Sequence, residues 1–206
     1  MPRGRLITIE GIDGAGKTTV ARALAAELAR QGIEVRQLRE PGGVSAAERM
    51  RDLVKDPALQ IGARAEALLY AAARAQLVEE AVEPALRTGV WVVLDRFVDS
   101  SLAYQGGGRG LGIDAVRRVN EFATHGLRAD RTLLLEVDVD VGRSRSRQRD
   151  ERLDRLEQEQ DRFFSTIAAA YQRLWREDPD RIRRIDASQP LGQVVAKSLE
   201  QLADLL

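Results

Sequence analysis

Five short runs rich in β-branched and aliphatic residues punctuate the chain: Leu6–Glu10, Ile33–Leu38, Val90–Leu94, Thr132–Val137 and Ile182–Ile185. Leu6-Ile7-Thr8-Ile9-Glu10 reads as a buried strand, and Val90-Trp91-Val92-Val93-Leu94 is almost continuously apolar, as a strand covered on both faces must be. Trp91 is read as core. Between the runs lie stretches with helical spacing. The first reaches about Gln31 and is closed by Gly32 as a left-handed cap. Ala46–Val54 follows, broken by Asp56-Pro57; then come Ala63–Leu86, Ile113–Phe122, Asp161–Arg176 and Leu191–Leu205. Within Ala63–Leu86 the apolar positions Leu68, Leu69, Ala72, Leu77 and Val78 recur about every 3.6 residues and predict its buried stripe. Ser100–Tyr104 reads as a helical turn ahead of a glycine-rich loop, Gln105–Gly110. Strands alternating with helices over this length predict one α/β domain, residues 1–206, built on a parallel five-stranded sheet flanked by helices.

The turn after the first strand carries chemistry. Gly11-Ile12-Asp13-Gly14-Ala15-Gly16-Lys17-Thr18, with Thr19 behind it, has the spacing G-x-x-x-x-G-K-[ST] between a strand and a helix, the context a P-loop requires. Glycines let the backbone wrap a polyphosphate, and the helix N-terminus points N–H groups at it. Lys17 supplies a charge for the β- and γ-phosphates, and the Thr18 hydroxyl is placed to ligate Mg²⁺. The third strand ends in Asp95-Arg96 at the ligand-binding edge of an open sheet. There a carboxylate holds Mg²⁺ and an arginine clamps a phosphate, or the two form a structural ion pair. Arg39-Glu40-Pro41-Gly42-Gly43 is a loop at the same edge. Tyr70 and Arg74, four apart on the long helix, address one ligand or serve packing. Gly142–Arg155 is rich in arginine, either a solvated face or a mobile lid. His125, the only histidine, sits near a helix end and is assigned a surface role.

Composition narrows the classes. The 206 residues include 32 basic and 32 acidic side chains, a balance that argues against a non-specific nucleic-acid binder. There is no cysteine, hence no disulfide framework or thiolate metal site. No apolar stretch approaches the ~20 residues of a membrane span. The N-terminus leads directly into the first strand, so a cytoplasmic protein without a signal peptide is expected.

Several separated stretches together resemble the thymidylate kinases: residues 11–19, Arg39–Gly43, Asp95-Arg96-Phe97 with Ser100 and Ala103–Arg109, Arg152-Leu153-Asp154-Arg155-Leu156-Glu157, and Asp186–Pro190. The resemblance covers nearly the whole chain. It implies a P-loop NTPase fold of the nucleoside monophosphate kinase type, with a lid at about 143–157, acting on ATP with Mg²⁺ and on dTMP, and a homodimer. It further implies that Asp13 contacts the sugar 3′-hydroxyl and Arg96 the acceptor phosphate. Tyr70 matches the aromatic that stacks on thymine and Arg74 the arginine on the base edge. Ser101, Tyr104 and Gln105 match positions around base and deoxyribose. Gly14 stands where some members carry a basic residue, which shifts the catalytic charge to Arg149, Arg152 and Arg155 of the lid. Tyr70 and Phe97 depart from the usual residues but keep an aromatic.

The expected reaction is transfer of the γ-phosphoryl group of ATP to dTMP, with Lys17, Arg96 and the lid arginines as the catalytic charges and Thr18 and Asp95 at the metal. The nearest rival is a P-loop kinase for another nucleotide monophosphate or a deoxynucleoside. A GTPase switch is disfavoured, because the sole asparagine, Asn120, is followed by Glu121 rather than by the Lys-x-Asp of a guanine-specificity element. An inactive scaffold is disfavoured by intact Lys17, Thr18, Asp95 and Arg96.

Overall fold

A computed structural model describes residues 2–148, 155–156 and 158–206. The five strands β1 (Leu6–Glu10), β2 (Val35–Arg39), β3 (Trp91–Asp95), β4 (Arg131–Glu136) and β5 (Ile182–Asp186) form one parallel sheet in the order β2-β3-β1-β4-β5. From central β1 the chain goes to one side for β2 and β3, and to the other for β4 and β5. The crevice beyond the carboxyl end of β1 is therefore the ligand-binding place of such a sheet.

Alternate residues of the central strands face opposite layers, and both layers are apolar. Ile7, Ile9 and Val93 join Val20, Leu24 and Leu28 of α1 (Lys17–Arg30), Phe164, Ile167 and Leu174 of α8 (Asp161–Glu177), and Val194 of α9 (Leu191–Glu200). Leu6, Val92 and Leu94 join Leu77, Val78, Val82 and Leu86 on the other side. The edge strands expose charge, Arg36 on β2 and Arg184 on β5, which blunts them against pairing with another sheet. Trp91 is half-buried against the larger core.

The long predicted helix is interrupted. It runs as α3 (Ala63–Leu77), widens into a π turn over Val78–Val82, and ends as α4 (Glu83–Arg87). Pro84 lacks the N–H that an α-helix needs, and the wide turn just before it accommodates that loss. The predicted buried stripe is also corrected: Leu68 is 58% exposed and Ala72 is exposed, whereas Glu66, Ala67, Ala71 and Arg74 face inward. Polar residues occupy the inner face because that face borders a cavity rather than a continuous core.

Gln105–Gly110, expected to be a loop, is mostly helical. After α5 (Val98–Ser101) the backbone continues as a π-helical segment, Leu102–Gly108. Its glycines serve close approach: a Cβ on Gly107 would lie 2.7 Å from the Ala170 methyl, and one on Gly108 would lie 2.6 Å from the Phe163 ring. α2 (Ser45–Lys55), α6 (Ile113–Ala123) and α7 (Val139–Arg147) complete the described helices. The last helix ends at Glu200 rather than Leu205. Beyond it the hydrogen bonds tighten to three-residue spacing, as from Leu202 N–H to the Leu199 carbonyl at 2.9 Å. His125 is exposed, as assigned.

The phosphate loop and α7 meet backbone to backbone. Gly14 has φ 79°, and a Cβ there would fall 1.9 Å from the Gly142 carbonyl oxygen. A basic side chain at position 14 is thus incompatible with this placement of α7. Gly14→Ala is expected to lose about 1–2 kcal/mol from the left-handed backbone alone, plus the displacement of α7, and to lower the Tm by at least about 2 °C. Gly16→Ala, where φ is 88° but nothing lies within 4 Å, should cost less. Thermal denaturation of the two variants side by side checks the difference.

Candidate active site

β1 delivers the chain into the glycine-rich turn, and α1 begins at Lys17 with Gly16 as its N-cap, so no side chain covers the first-turn amides. Gly11, Ile12 and Ala15 form the inner side of this turn: Ile12 and Ala15 are buried in the core, and a Cβ on Gly11 would lie 2.5 Å from the Leu135 carbonyl. Asp13, Gly14, Gly16, Lys17, Thr18 and Thr19 line a cavity of about 530 Å³. Lys17 is buried, and its ammonium donates to the Ile12 carbonyl at 2.8 Å. Burial and the nearby Arg96 push its pKa down to about 8, against the pull of Asp13 and Asp95, so it stays charged at neutral pH. The Thr18 hydroxyl donates to Asp95 Oδ2 at 2.5 Å.

Ile9 of β1 pairs with Asp95 of β3, and this register sets the next residues of the two strands side by side. Arg96 leaves β3 in the left-handed conformation, φ 70°, and its guanidinium donates to Asp13 Oδ1. The Tyr104 hydroxyl donates to Asp13 Oδ2 at 3.0 Å, and the Tyr104 ring lies 5.1 Å from the Arg96 guanidinium, a cation–π contact. Burial works against the Asp13 charge, yet Arg96, Lys17 and the Tyr104 hydroxyl outweigh it and hold the carboxyl at about 2.

The same cavity is bordered by Tyr70, Arg74, Ser101, Tyr104 and Gln105, which with Asp13 are the positions expected around base and sugar. Arg74 departs from its expected geometry. It is 1% exposed, and Nε and both terminal nitrogens are engaged: Nε with Glu40 Oε2 at 2.8 Å, the others with Ser101 Oγ at 2.9 Å, the Phe97 carbonyl at 2.9 Å and Asn120 Oδ1. A guanidinium taken out of water must be paired in this way. Gln105 is similarly committed, its amide donating to Glu66 Oε1 at 2.9 Å. Both residues build the wall, and the surfaces they leave to the cavity are small.

The lid arginines divide. Arg149 and Arg152 lie outside the described residues. Arg155 does not border the cavity; it donates to Glu66 Oε2 at 2.6 Å and to the Val54 carbonyl at 3.1 Å. Glu66 is fully buried and also holds Arg109, at 3.2 Å, so the pull of one shielded carboxylate decides where Arg155 sits. Arg145, from the same arginine-rich run, borders the cavity instead. Sequence reasoning also passed over Arg39, Glu40, Arg51 and Lys55 on the cavity wall. Arg51 and Lys55 are spaced i, i+4 on α2, a signal that both face one way. The loop of Arg39 and Glu40 was marked as lying at the ligand edge, but its charged residues were given no role.

The thymidylate kinase family profile matches residues 9–198, a span containing every candidate site residue. The chain belongs to the thymidylate kinase family. Among curated relatives named thymidylate kinase, that of Lactobacillus delbrueckii subsp. bulgaricus is 49% identical over 201 residues, covering 96% of this chain and 95% of the relative. The Lactiplantibacillus plantarum protein is 47% identical, covering 100% and 95%. That of Rhizorhabdus wittichii is 45% identical, covering 98% and 99%. Family members are nucleoside monophosphate kinases, and in this chain the phosphate loop and the Tyr70 wall share one cavity.

Because Asp13 has a folded pKa below its ordinary 3.8, its carboxylate contributes stability above about pH 4, and that contribution is lost as pH falls through about 2. Asp13→Asn should therefore be less stable by about 2 kcal/mol near neutral pH. Urea denaturation as a function of pH should show the wild-type and variant curves converging toward about pH 2.

Proposed function

We infer that the protein transfers the γ-phosphoryl group of ATP to dTMP, yielding dTDP and ADP for dTTP synthesis. The observation that carries this reading is the single cavity shared by a phosphate loop, the Asp13–Arg96 pair and the Tyr70–Ser101–Tyr104–Gln105 wall, in a chain of the thymidylate kinase family.

In this reading the ATP polyphosphate lies on Gly11–Thr18. The dTMP phosphate meets Arg96, its sugar meets Asp13 and Tyr104, and its base meets Tyr70 and the edge formed by Ser101, Arg74 and Gln105. A base contact from Arg74 exchanges one of the donors now given to Ser101 or Asn120. An acceptor phosphate oxygen attacks the γ-phosphorus in line. The acceptor is already anionic near neutral pH, so no general base is needed. Lys17 stabilises the charge that spreads over the equatorial oxygens, and Arg145 and the lid arginines Arg149, Arg152 and Arg155 are the further cations available from the lid. For Arg155 this requires release from Glu66. Thr18 and Asp95 offer the hard oxygens that Mg²⁺ takes beside phosphate and water, and would hold the ion that accompanies ATP. When bound, that ion neutralises charge on the β- and γ-phosphates. Removal of divalent metal is expected to abolish transfer.

We also propose a cytoplasmic homodimer. No helix among the described residues is long and apolar enough to cross a membrane. Phe122 on α6 is 87% exposed and Leu68 on the neighbouring α3 is 58% exposed, apolar side chains that a second copy would cover. Light scattering at twice the monomer mass supports this; a monodisperse monomer overturns it.

Lys17→Ala is expected to abolish transfer while leaving the fold intact. Arg96→Ala should raise the KM for dTMP by about 10-fold to 100-fold, with the KM for ATP nearly unchanged. Both are read in a coupled ATP/dTMP assay. Thymidine, which lacks the phosphate, should be a poor acceptor, whereas dUMP should retain some activity, because one methyl is worth only about 1–3 kcal/mol.

A further inference from the structure

Arg96 adopts a left-handed backbone, φ 70°, a conformation unfavourable for a non-glycine residue that persists only where its surroundings enforce it. Beside this turn stands Glu10, the last residue of β1, one position beyond the Ile9–Asp95 pair. Its side chain is fully buried and does not line the cavity. Oε1 accepts the Phe97 N–H at 2.7 Å. Oε2 accepts the Ser100 hydroxyl at 2.5 Å and the Tyr171 hydroxyl at 2.9 Å. Phe97 immediately follows Arg96. Ser100 stands one turn further on, its Oγ 3.3 Å from an Arg96 terminal nitrogen. One carboxylate thus pins the main chain beside Arg96 and the hydroxyl that touches its guanidinium. All three donors to Glu10 are neutral, an expensive setting for a buried carboxylate. Burial, and after it the nearby Asp99, push its pKa up to about 7.

We propose that Glu10 is a positioning residue for the phosphoryl acceptor: through Phe97, Ser100 and Tyr171 it holds Arg96 in the conformation that aims its guanidinium at the acceptor phosphate. The inference rests on the reading of Arg96 as the acceptor-phosphate residue. It makes the strained Arg96 turn a device held from beneath by β1, and it assigns α8, through Tyr171, a part in acceptor binding.

The test is steady-state kinetics of the full-length enzyme with dTMP and ATP varied separately. Glu10→Gln keeps the size and one acceptor for Phe97 N–H, but turns an amide donor toward Ser100 and Tyr171. It should raise the KM for dTMP by about tenfold and leave that for ATP within about twofold, without lowering the Tm. Tyr171→Phe and Ser100→Ala, which each remove one of the hydroxyls, should move the dTMP KM in the same direction by less, and they decide the matter if Glu10→Gln fails to fold. A purely structural role predicts the opposite split, a lower Tm with unchanged KM values. If these variants leave the dTMP KM unchanged while Arg96→Ala raises it, the positioning role is overturned and the acceptor reading stands. If Arg96→Ala itself leaves the dTMP KM unchanged, both fall.

Discussion

The ion pair between Asp13 and Arg96 ties the two ends of this active site together. Asp13 belongs to the loop that follows β1, and Arg96 to the turn that follows β3, so their contact joins the phosphate loop to the turn after β3. Both groups are largely withdrawn from water, and a shielded pair of this kind is costly to break, because loss of either partner strands the other charge. Lys17 lies 3.9 Å from the same carboxylate, and Tyr104 donates to its second oxygen. One aspartate therefore organises Lys17, Arg96 and Tyr104 around itself. The β1–β3 register makes this possible, because a one-residue slip would turn Asp95 away from Thr18 and Arg96 away from Asp13.

Around that pair the structure carries further shielded charge. Glu40 holds Arg74 on the cavity wall; away from the cavity lining, Glu66 holds Arg109 and Arg155, and Asp99 holds Arg181 through two hydrogen bonds. Such pairs add little net stability over apolar packing of the same volume, yet they fix side chains to within a narrow geometry. Phosphoryl transfer asks for alignment and charge neutralisation, so rigid walls of paired charge suit its needs. Glu40 Oε1 is buried without a hydrogen-bond partner, and burial raises the pKa of this carboxyl against the pull of Arg74. A wall tuned for a ligand tolerates such a cost where a simple core would not.

The arginine-rich stretch after β4 touches this frame at two described places. α7 packs on the phosphate loop through the Gly14–Gly142 contact, and the returning chain is tied to α3 by Arg155 on Glu66. Glu66 also receives Gln105, so one buried carboxylate links Arg155 to the cavity lining. The absence of a side chain at position 14 has two consequences at once. It leaves Lys17 as the cation of the loop, and it lets α7 approach closely enough for Arg145 to border the cavity.

The local pattern of the chain determined the five strands, the order of helices, the phosphate loop and the Asp95-Arg96 edge. These rest on interactions between near neighbours, namely apolar runs, glycine spacing and charges at strand ends, all of which a sequence displays. Tertiary structure alone decided that Leu68 faces outward while Glu66, Ala67 and Arg74 face in, because a helix bordering a cavity inverts the usual polarity of its stripes. It decided that Gly107 and Gly108 make room for Ala170 and Phe163 rather than loosen a loop. It also decided that the donors of Arg74 are engaged within the protein and that Arg155 rests on Glu66. Those outcomes depend on which charges, distant in sequence, share one shielded volume, and periodicity carries no information about that. Glu10 shows the division most clearly. Its place at the end of a buried strand was legible, but its hold on Phe97, Ser100 and Tyr171 exists only once β1, the turn after β3 and α8 have met.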